Sequence, residues 1–289
     1  MNKITMRKYA RYLLILPLLV CSHILHANTV SLKISKTINA TAEYQPTNSN
    51  KPLLIFIHGF LQTRDFSTVK RLSDALYDDG FPTLSPTLSL GISNRKQSLP
   101  CESIHLHSLH SDTDEISKWV KWASQQGHKE IILIGHSTGS VNISAYLASG
   151  AHPSISKTIL ISLTYYGPNL LMAFESSIQA DNAKILLQKA DTRLHKFSLQ
   201  YCKEYITTAE NFLSYYNWSS EQVLKAITTG HTENHIILGS ADERMGPQWL
   251  NDIHRASNLI ITVDGANHFF DQAHEFDLLD SIENILADY

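Results

Sequence analysis

The sequence predicts a single α/β domain, a mostly parallel central sheet with helices on both faces and one helical insertion. Three observations predict it. Short apolar runs rich in β-branched residues recur at 53–57, 131–134, 158–163, 236–238 and 259–263, each bounded by polar or glycine-containing turns. Between most of them lie stretches with apolar residues at helical spacing, and a strand that returns beside its predecessor through a helix pairs with it in parallel. The alternation pauses once, over about 60 residues from roughly 168 to 230.

The chain has 289 residues, 43% hydrophobic and 18% charged, the composition of an ordinary globular protein. Its first 27 residues read as a secretory signal. Lys3, Arg7, Lys8 and Arg11 form a basic start, and residues 12–21 form an apolar core too short to span a bilayer. Leu25-His26-Ala27 is an imperfect small-residue cleavage site. An uncleaved anchor ranks second. A lipoprotein signal ending at Cys21 ranks third, because Val20 is larger than the residue expected there. Cleavage leaves a domain of residues 28–289 with no stable membrane span. It also removes four basic residues and no acidic ones, so the net charge moves from −3 to −7. A mildly acidic chain without a basic cluster argues against nucleic acid and anionic membranes as partners.

In order, residues 30–44 alternate loosely and predict an antiparallel edge hairpin, and 53–57 follows as a buried strand. Phe66, Val69, Leu72, Ala75 and Leu76 give a helix stopped by Gly80, and 81–90 gives a strand broken by Pro82 and Pro86. Residues 91–111 read as a long loop. Asp112 with Glu115 suggests a capping box for the next helix, whose apolar stripe is Ile116, Trp119, Val120 and Ala123. A strand at 131–134 leads into a helix through 141–149, and 158–163 is another strand. The insertion reads as mostly helical: Leu171, Phe174, Ile178, Ile185 and Leu186 sit at helical spacing, and six aromatic residues crowd into 201–218. Phe276, Leu279, Ile282 and Leu286 form the last amphipathic stripe.

The organising stretch is Gly135-His136-Ser137-Thr138-Gly139, which joins a buried strand to a helix. This is a G-x-S-x-G elbow in its strand–turn–helix context: the serine is held proud on a sharp turn above free helix N–H groups, and small residues on each side allow close packing. His58-Gly59-Phe60 closes the strand at 53–57. Gly239-Ser240-Ala241-Asp242-Glu243 and Asp264-Gly265-Ala266-Asn267-His268 close the last two strands. Together these four motifs resemble the α/β-hydrolase family over nearly all of the domain. The resemblance implies the α/β-hydrolase fold with a helical lid at the insertion. It implies a catalytic triad in the order Ser137, Asp242, His268, and an oxyanion hole from the N–H groups of Phe60 (or Leu61) and Thr138.

The residues leave rivals at two places. His136 adjoins the serine and competes with His268 as the base. Glu243 and then Asp264 rank behind Asp242 as the acid. A serine nucleophile argues against the branches of this fold that use aspartate. The chemistry needs no cofactor and no metal. Cys101, His105, His107 and His110 contain zinc-type ligands, but their spacing matches no standard metal motif, and hydrogen-bonded histidines are the preferred reading. They also suit the rim of a pocket. Cys101 and Cys202, the two cysteines left after cleavage, either form a bridge that tethers the insertion or remain buried thiols. Sequons at Asn39, Asn142 and Asn217 look accidental, because Asn142 falls on a helix that should be buried.

The expected activity is a secreted serine hydrolase of esterase or lipase type, exported to a periplasm or beyond. It would act on small-molecule carboxylic esters or thioesters through an acyl-serine intermediate. An amidase, peptidase or acyltransferase on the same fold is the alternative, followed by a catalytically silent envelope binding protein.

Overall fold

The computed structural model describes residues 28–167, 173–230 and 232–289. The expected signal segment lies outside them, as do the start of the insertion at 168–172 (Leu171 included) and the side chain of Phe174. One eight-stranded sheet organises the chain. Its strands are β1 (Asn28–Lys33), β2 (Asn39–Gln45), β3 (Leu53–Ile57), β4 (Thr83–Thr87), β5 (Ile131–His136), β6 (Ile155–Ile161), β9 (Glu233–Gly239) and β10 (Ile260–Val263), in the spatial order β1-β2-β4-β3-β5-β6-β9-β10. The expected edge hairpin is β1–β2, antiparallel throughout, and β2 meets β4 antiparallel. From β4 to β10 every pairing is parallel. β3 and β5 are the middle of the sheet and are buried along their whole length, which is why they read as unbroken apolar runs.

The helices split between the faces. α1 (Ser67–Asp78) and α8 (His274–Ile285) cover one face over a core that includes Leu54, Phe56, Ile132, Ile134 and Ile159. α2 (Leu109–Gln125), α3 (Thr138–Ala148) and α7 (Gly246–Ala256) cover the other, over Ile55, Ile57, Leu133 and Leu160. No helix among the described residues is long and apolar enough to cross a membrane.

Three local expectations are corrected. α2 begins a turn earlier than Asp112: Ser108 and Ser111 form the capping box, each side chain accepting from the other's backbone N–H. Asp112 and Glu115 point inward instead, where tertiary partners claim them. The stripe of α8 is rotated, so that Leu278, Ile282 and Ile285 are buried while Phe276 is 71% exposed. The insertion between β6 and β9 is not all helical. α4 (Ala173–Gln188), α5 (Ala209–Tyr216) and α6 (Ser220–Thr228) frame an antiparallel hairpin of β7 (His195–Leu199) and β8 (Cys202–Thr207). α4 buries the small residues Ala180 and Ala183, while Ile178 and Ile185 face outward.

The hairpin is fastened to the loop before α2. Cys101 and Cys202 form a disulfide with Cα atoms 5.3 Å apart. The His105 N–H donates to Ile206 O at 2.8 Å, and the Thr207 hydroxyl donates to His105 O.

Candidate active site

Ser137 sits between β5 and α3 with φ 57°, a left-handed conformation that costs an L-residue free energy. Neighbouring bonds hold it there. The Ser137 N–H donates to Ile161 O at 2.9 Å, and the Ser140 hydroxyl contacts the carbonyls of Gly135 and Ile161 at 2.8 and 2.9 Å. The two flanking glycines are required by space. A Cβ on Gly139 would stand 2.2 Å from Ile57 O, and one on Gly135 would stand 2.6 Å from Ser140 N. The elbow therefore packs backbone against backbone, which fixes the serine at the carboxyl end of the sheet.

The last two parallel strands bring the other two groups to it. His268, on the loop between β10 and α8, places Nε2 2.8 Å from Ser137 Oγ. Its Nδ1 lies 2.7 Å from Oδ2 of Asp242, on the turn after β9. Both side chains are nearly buried. The second Asp242 oxygen accepts from the Arg244 backbone N–H at 3.0 Å, so the carboxylate also shapes its own turn. Glu243 is exposed. Asp264 accepts from the Ser240 hydroxyl at 2.9 Å and lies away from His268.

The rival base, His136, has a different place. It is fully buried against Phe66 and Phe269, and its Nε2 meets His268 O at 3.0 Å. Burial first, and then the nearby charge of His268, lower its pKa from 6.5 to about 3, so the ring is neutral and Nε2–H donates to that carbonyl. The Ser162 hydroxyl donates to the same oxygen at 2.8 Å. His136 thus steadies the backbone of His268 and does not touch the serine hydroxyl.

Across the serine lies the turn after β3. His58 is buried and its pKa is lowered to about 3 by burial and by the Arg95 charge. Its Nδ1 meets Gly59 O at 2.9 Å, and its Nε2 accepts from Leu88 N–H at 3.0 Å and from Arg95 at 3.2 Å. Arg95 also donates to the carbonyls of Leu88, Gln97 and Gln62 at 2.7–2.8 Å. These bonds fix the backbone that carries Phe60. Phe60 and Thr138 line one cleft with Ser137 and His268, whereas Leu61 lies behind it. No described hydrogen bond starts at the Phe60 or Thr138 N–H; Thr138 opens α3, where helix geometry leaves the N–H free. Tyr166 braces the α3 side, its hydroxyl reaching Asn142 Oδ1 at 3.1 Å.

The cleft is shallow, with a cavity volume of about 30 Å³, and opens to solvent; Gln62, Thr164, Gln200, Tyr201, Arg244 and Phe269 complete its lining. Gln200 and Tyr201 come from the tip of the β7–β8 hairpin, so the insertion forms one wall. A larger apolar cleft lies between α1 and α8, away from Ser137.

The Cys101–His110 segment takes structural partners. Cys101 is in the disulfide, and His105 stacks on Tyr205 with ring centres 4.1 Å apart. His107 lies between Asp112, Tyr205 and Tyr215, while His110 is exposed on α2. No cluster of His, Cys, Asp and Glu among the described residues has the geometry to hold a metal ion.

Sequence reasoning missed Arg95, Ser162 and the cleft residues Gln62, Gln200, Tyr201 and Arg244. Arg244 had a signal, two residues beyond the proposed acid. Arg95 had none, because its partners are backbone carbonyls brought close only by folding.

The fold can be compared with known proteins. Est1E from Butyrivibrio proteoclasticus is 16% identical with a TM-score of 0.64, over 90% of this chain and 98% of that one. An esterase from Pyrococcus furiosus is 14% identical with a TM-score of 0.60, over 92% of both chains. At such identities the likeness is one of fold. No curated protein matches. The family model described as alpha/beta hydrolase family matches residues 54–277, a span that runs from β3 into α8 and contains the elbow, Asp242 and His268. Sheet order, elbow and matched span agree, and the chain belongs to the alpha/beta hydrolase family.

Proposed function

We propose that the protein is an exported serine hydrolase that cleaves small carboxylic esters or thioesters through an acyl-serine intermediate. The observation that carries this reading is the continuous contact Asp242–His268–Ser137, at 2.7 and 2.8 Å, opening into a cleft.

In this mechanism the neutral imidazole of His268 takes the Ser137 proton at Nε2 as Oγ attacks the acyl carbon. Asp242 holds Nδ1–H and stabilises the imidazolium. The tetrahedral oxyanion is received by the Phe60 and Thr138 N–H groups, each contributing on the order of 3 kcal/mol of transition-state stabilisation. His268 then returns the proton to the leaving alkoxide or thiolate. Water repeats the sequence to release the acid.

Export is supported by the basic and apolar character of residues 1–27 and by the Cys101–Cys202 bond, which persists in an oxidising compartment. The fold shared with an esterase from Pyrococcus furiosus is compatible with ester cleavage.

A fluorophosphonate probe tests the reading. The wild-type protein is expected to be labelled stoichiometrically and to hydrolyse short 4-nitrophenyl esters, with both properties lost in Ser137→Ala. A folded wild-type protein that takes no label would overturn it.

A further inference from the structure

The six arginines among the described residues differ in how their charge is used. Arg71, Arg193 and Arg255 pair with carboxylates. Arg64 donates to the Thr41 carbonyl and hydroxyl, and Arg95 to buried carbonyls and His58. The guanidinium of Arg244 takes part in none of the described ion pairs or hydrogen bonds. It lies over the Phe269 ring, 4.7 Å from the centroid, and lines the cleft that holds Ser137 and His268.

Its position is built. The Arg244 N–H is tied to Asp242 Oδ1, the Phe269 face fixes the plane in which the guanidinium rests, and its charge reaches both His136 and the Tyr201 phenol across the cleft. The cleft is lined by no carboxylate that would neutralise it; Asp242 stands behind His268. Gln62 lines the same cleft. A planar guanidinium at the exposed rim of a small cleft matches a carboxylate, which it can grip through two parallel N–H donors.

We propose that the substrate carries a carboxylate on the part of the molecule that lies toward the β9–α7 turn, and that Arg244 binds it and sets the ester bond against Ser137. This rests on the serine-hydrolase reading above and narrows it to small anionic esters. Gln62, Thr164, Gln200 and Arg244 give that cleft a polar share of its lining, which suits a small anionic acyl group.

The test compares the mono-4-nitrophenyl ester of glutaric acid with its ω-methyl ester, which has nearly the same shape and no charge. The wild type is expected to favour the anion about five- to tenfold in kcat/KM at low ionic strength, mainly through KM, as an ordinary partly exposed ion pair allows. Arg244→Gln is expected to bring the ratio near one, Arg244→Glu to invert it, and Arg244→Lys to retain part of it. A wild-type ratio near one, or a ratio unchanged in Arg244→Gln, would overturn the assignment. Fluorophosphonate labelling of the same preparations separates the two levels. Labelled protein without a charge preference refutes only the role of Arg244, whereas unlabelled wild type refutes the hydrolase reading beneath it.

Discussion

Two histidine–aspartate pairs flank the elbow, and they differ in what the second ring nitrogen meets. In His268–Asp242 the imidazole Nδ1 lies 2.7 Å from the carboxylate and Nε2 faces Ser137 Oγ in an open cleft. In His107–Asp112, behind Phe60 and Thr138, Nδ1 lies 3.2 Å from the carboxylate and Nε2 faces the Tyr205 hydroxyl at 3.1 Å. Tyr215 completes the second pair, donating to Asp112 at 2.6 Å. Both pairs are buried. One sets its second ring nitrogen against the half-buried Ser137 hydroxyl, and the other ties α2 to the β7–β8 hairpin and α5. The chemistry of a histidine–aspartate contact is thus decided by the third group and its access to solvent.

The largest expected effect tests that difference directly. His268→Ala and Ser137→Ala should each lower kcat about 10⁴- to 10⁶-fold with little change in Tm. Asp242→Asn should cost about 10⁴-fold and Glu243→Gln less than threefold. His107→Gln should leave kcat of the folded protein within tenfold of wild type. Steady-state kinetics on folded preparations checks all five, and comparable kcat losses at His107 and His268 would erase the distinction between the pairs.

Next comes the bond that secures the second region. Cys101 and Cys202 are 101 residues apart in sequence, a loop for which the chain-entropy account gives about 4–5 kcal/mol. The double variant Cys101→Ser/Cys202→Ser should lose most of that in denaturant unfolding, while fluorophosphonate labelling of Ser137 persists in the folded fraction. Labelling lost in step with the disulfide would show that the catalytic end depends on the staple.

A smaller loss is expected at Asp112. Asp112→Ala leaves the Tyr215 hydroxyl and His107 Nδ1 without their buried acceptor and should destabilise by about 3 kcal/mol, a fall of roughly 6–12 °C in Tm. Asp112→Asn, which keeps an acceptor oxygen, should lose less. Equal losses from both would mean that charge, not hydrogen bonding, holds the insertion.

The smallest effect concerns acid, and it belongs to the catalytic end. His58 and His136 are held neutral, with pKa values lowered from 6.5 to about 3. Below pH 6.5 the unfolded chain binds protons at both that the folded chain refuses, so stability falls as pH falls. Glu115 opposes them: burial raises its pKa from 4.5 to about 7, so over that range the folded chain holds the extra proton. Between about pH 4.5 and 6.5 the three groups leave a net uptake of one proton on unfolding, about 1.4 kcal/mol lost per pH unit. Unfolding measured across that range in His136→Gln should show a slope flatter by about one proton; an unchanged slope would place the acid sensitivity elsewhere.

The two regions also differed in how well the sequence announced them. The triad side was legible because each group follows a short apolar strand and because the elbow's glycines are demanded by backbone crowding at Ile57 and Ser140. The insertion side was not. Asp112 and Glu115 resemble first-turn capping residues, yet Tyr215 and Ser89, distant in sequence, claim them. The β7–β8 hairpin turns at Gln200, a non-glycine residue with φ 55°, so no glycine or asparagine marked the turn. Its strand side chains alternate only in part, and a register shift between Phe197 and Leu199 breaks the period of two. Arg95 and Ser162 act through carbonyls, which leave no pattern in the side chains around them.

The insertion leaves the sheet at the end of β6 and returns at β9, and these two strands are hydrogen-bonded neighbours. The detour therefore opens no gap in the sheet, and its entrance and exit stand side by side. Such an arrangement makes the segment an exchangeable cassette. Ser137, Asp242 and His268 all lie outside it, whereas Gln200 and Tyr201 travel with it and change one wall of the cleft. The disulfide and the Asp112 cluster define what must travel too. A graft that carries the stretch around Cys101–Asp112 along with the insertion transplants both halves of its own fastening, and one wall of the cleft can then be exchanged while Ser137, Asp242 and His268 stay in place.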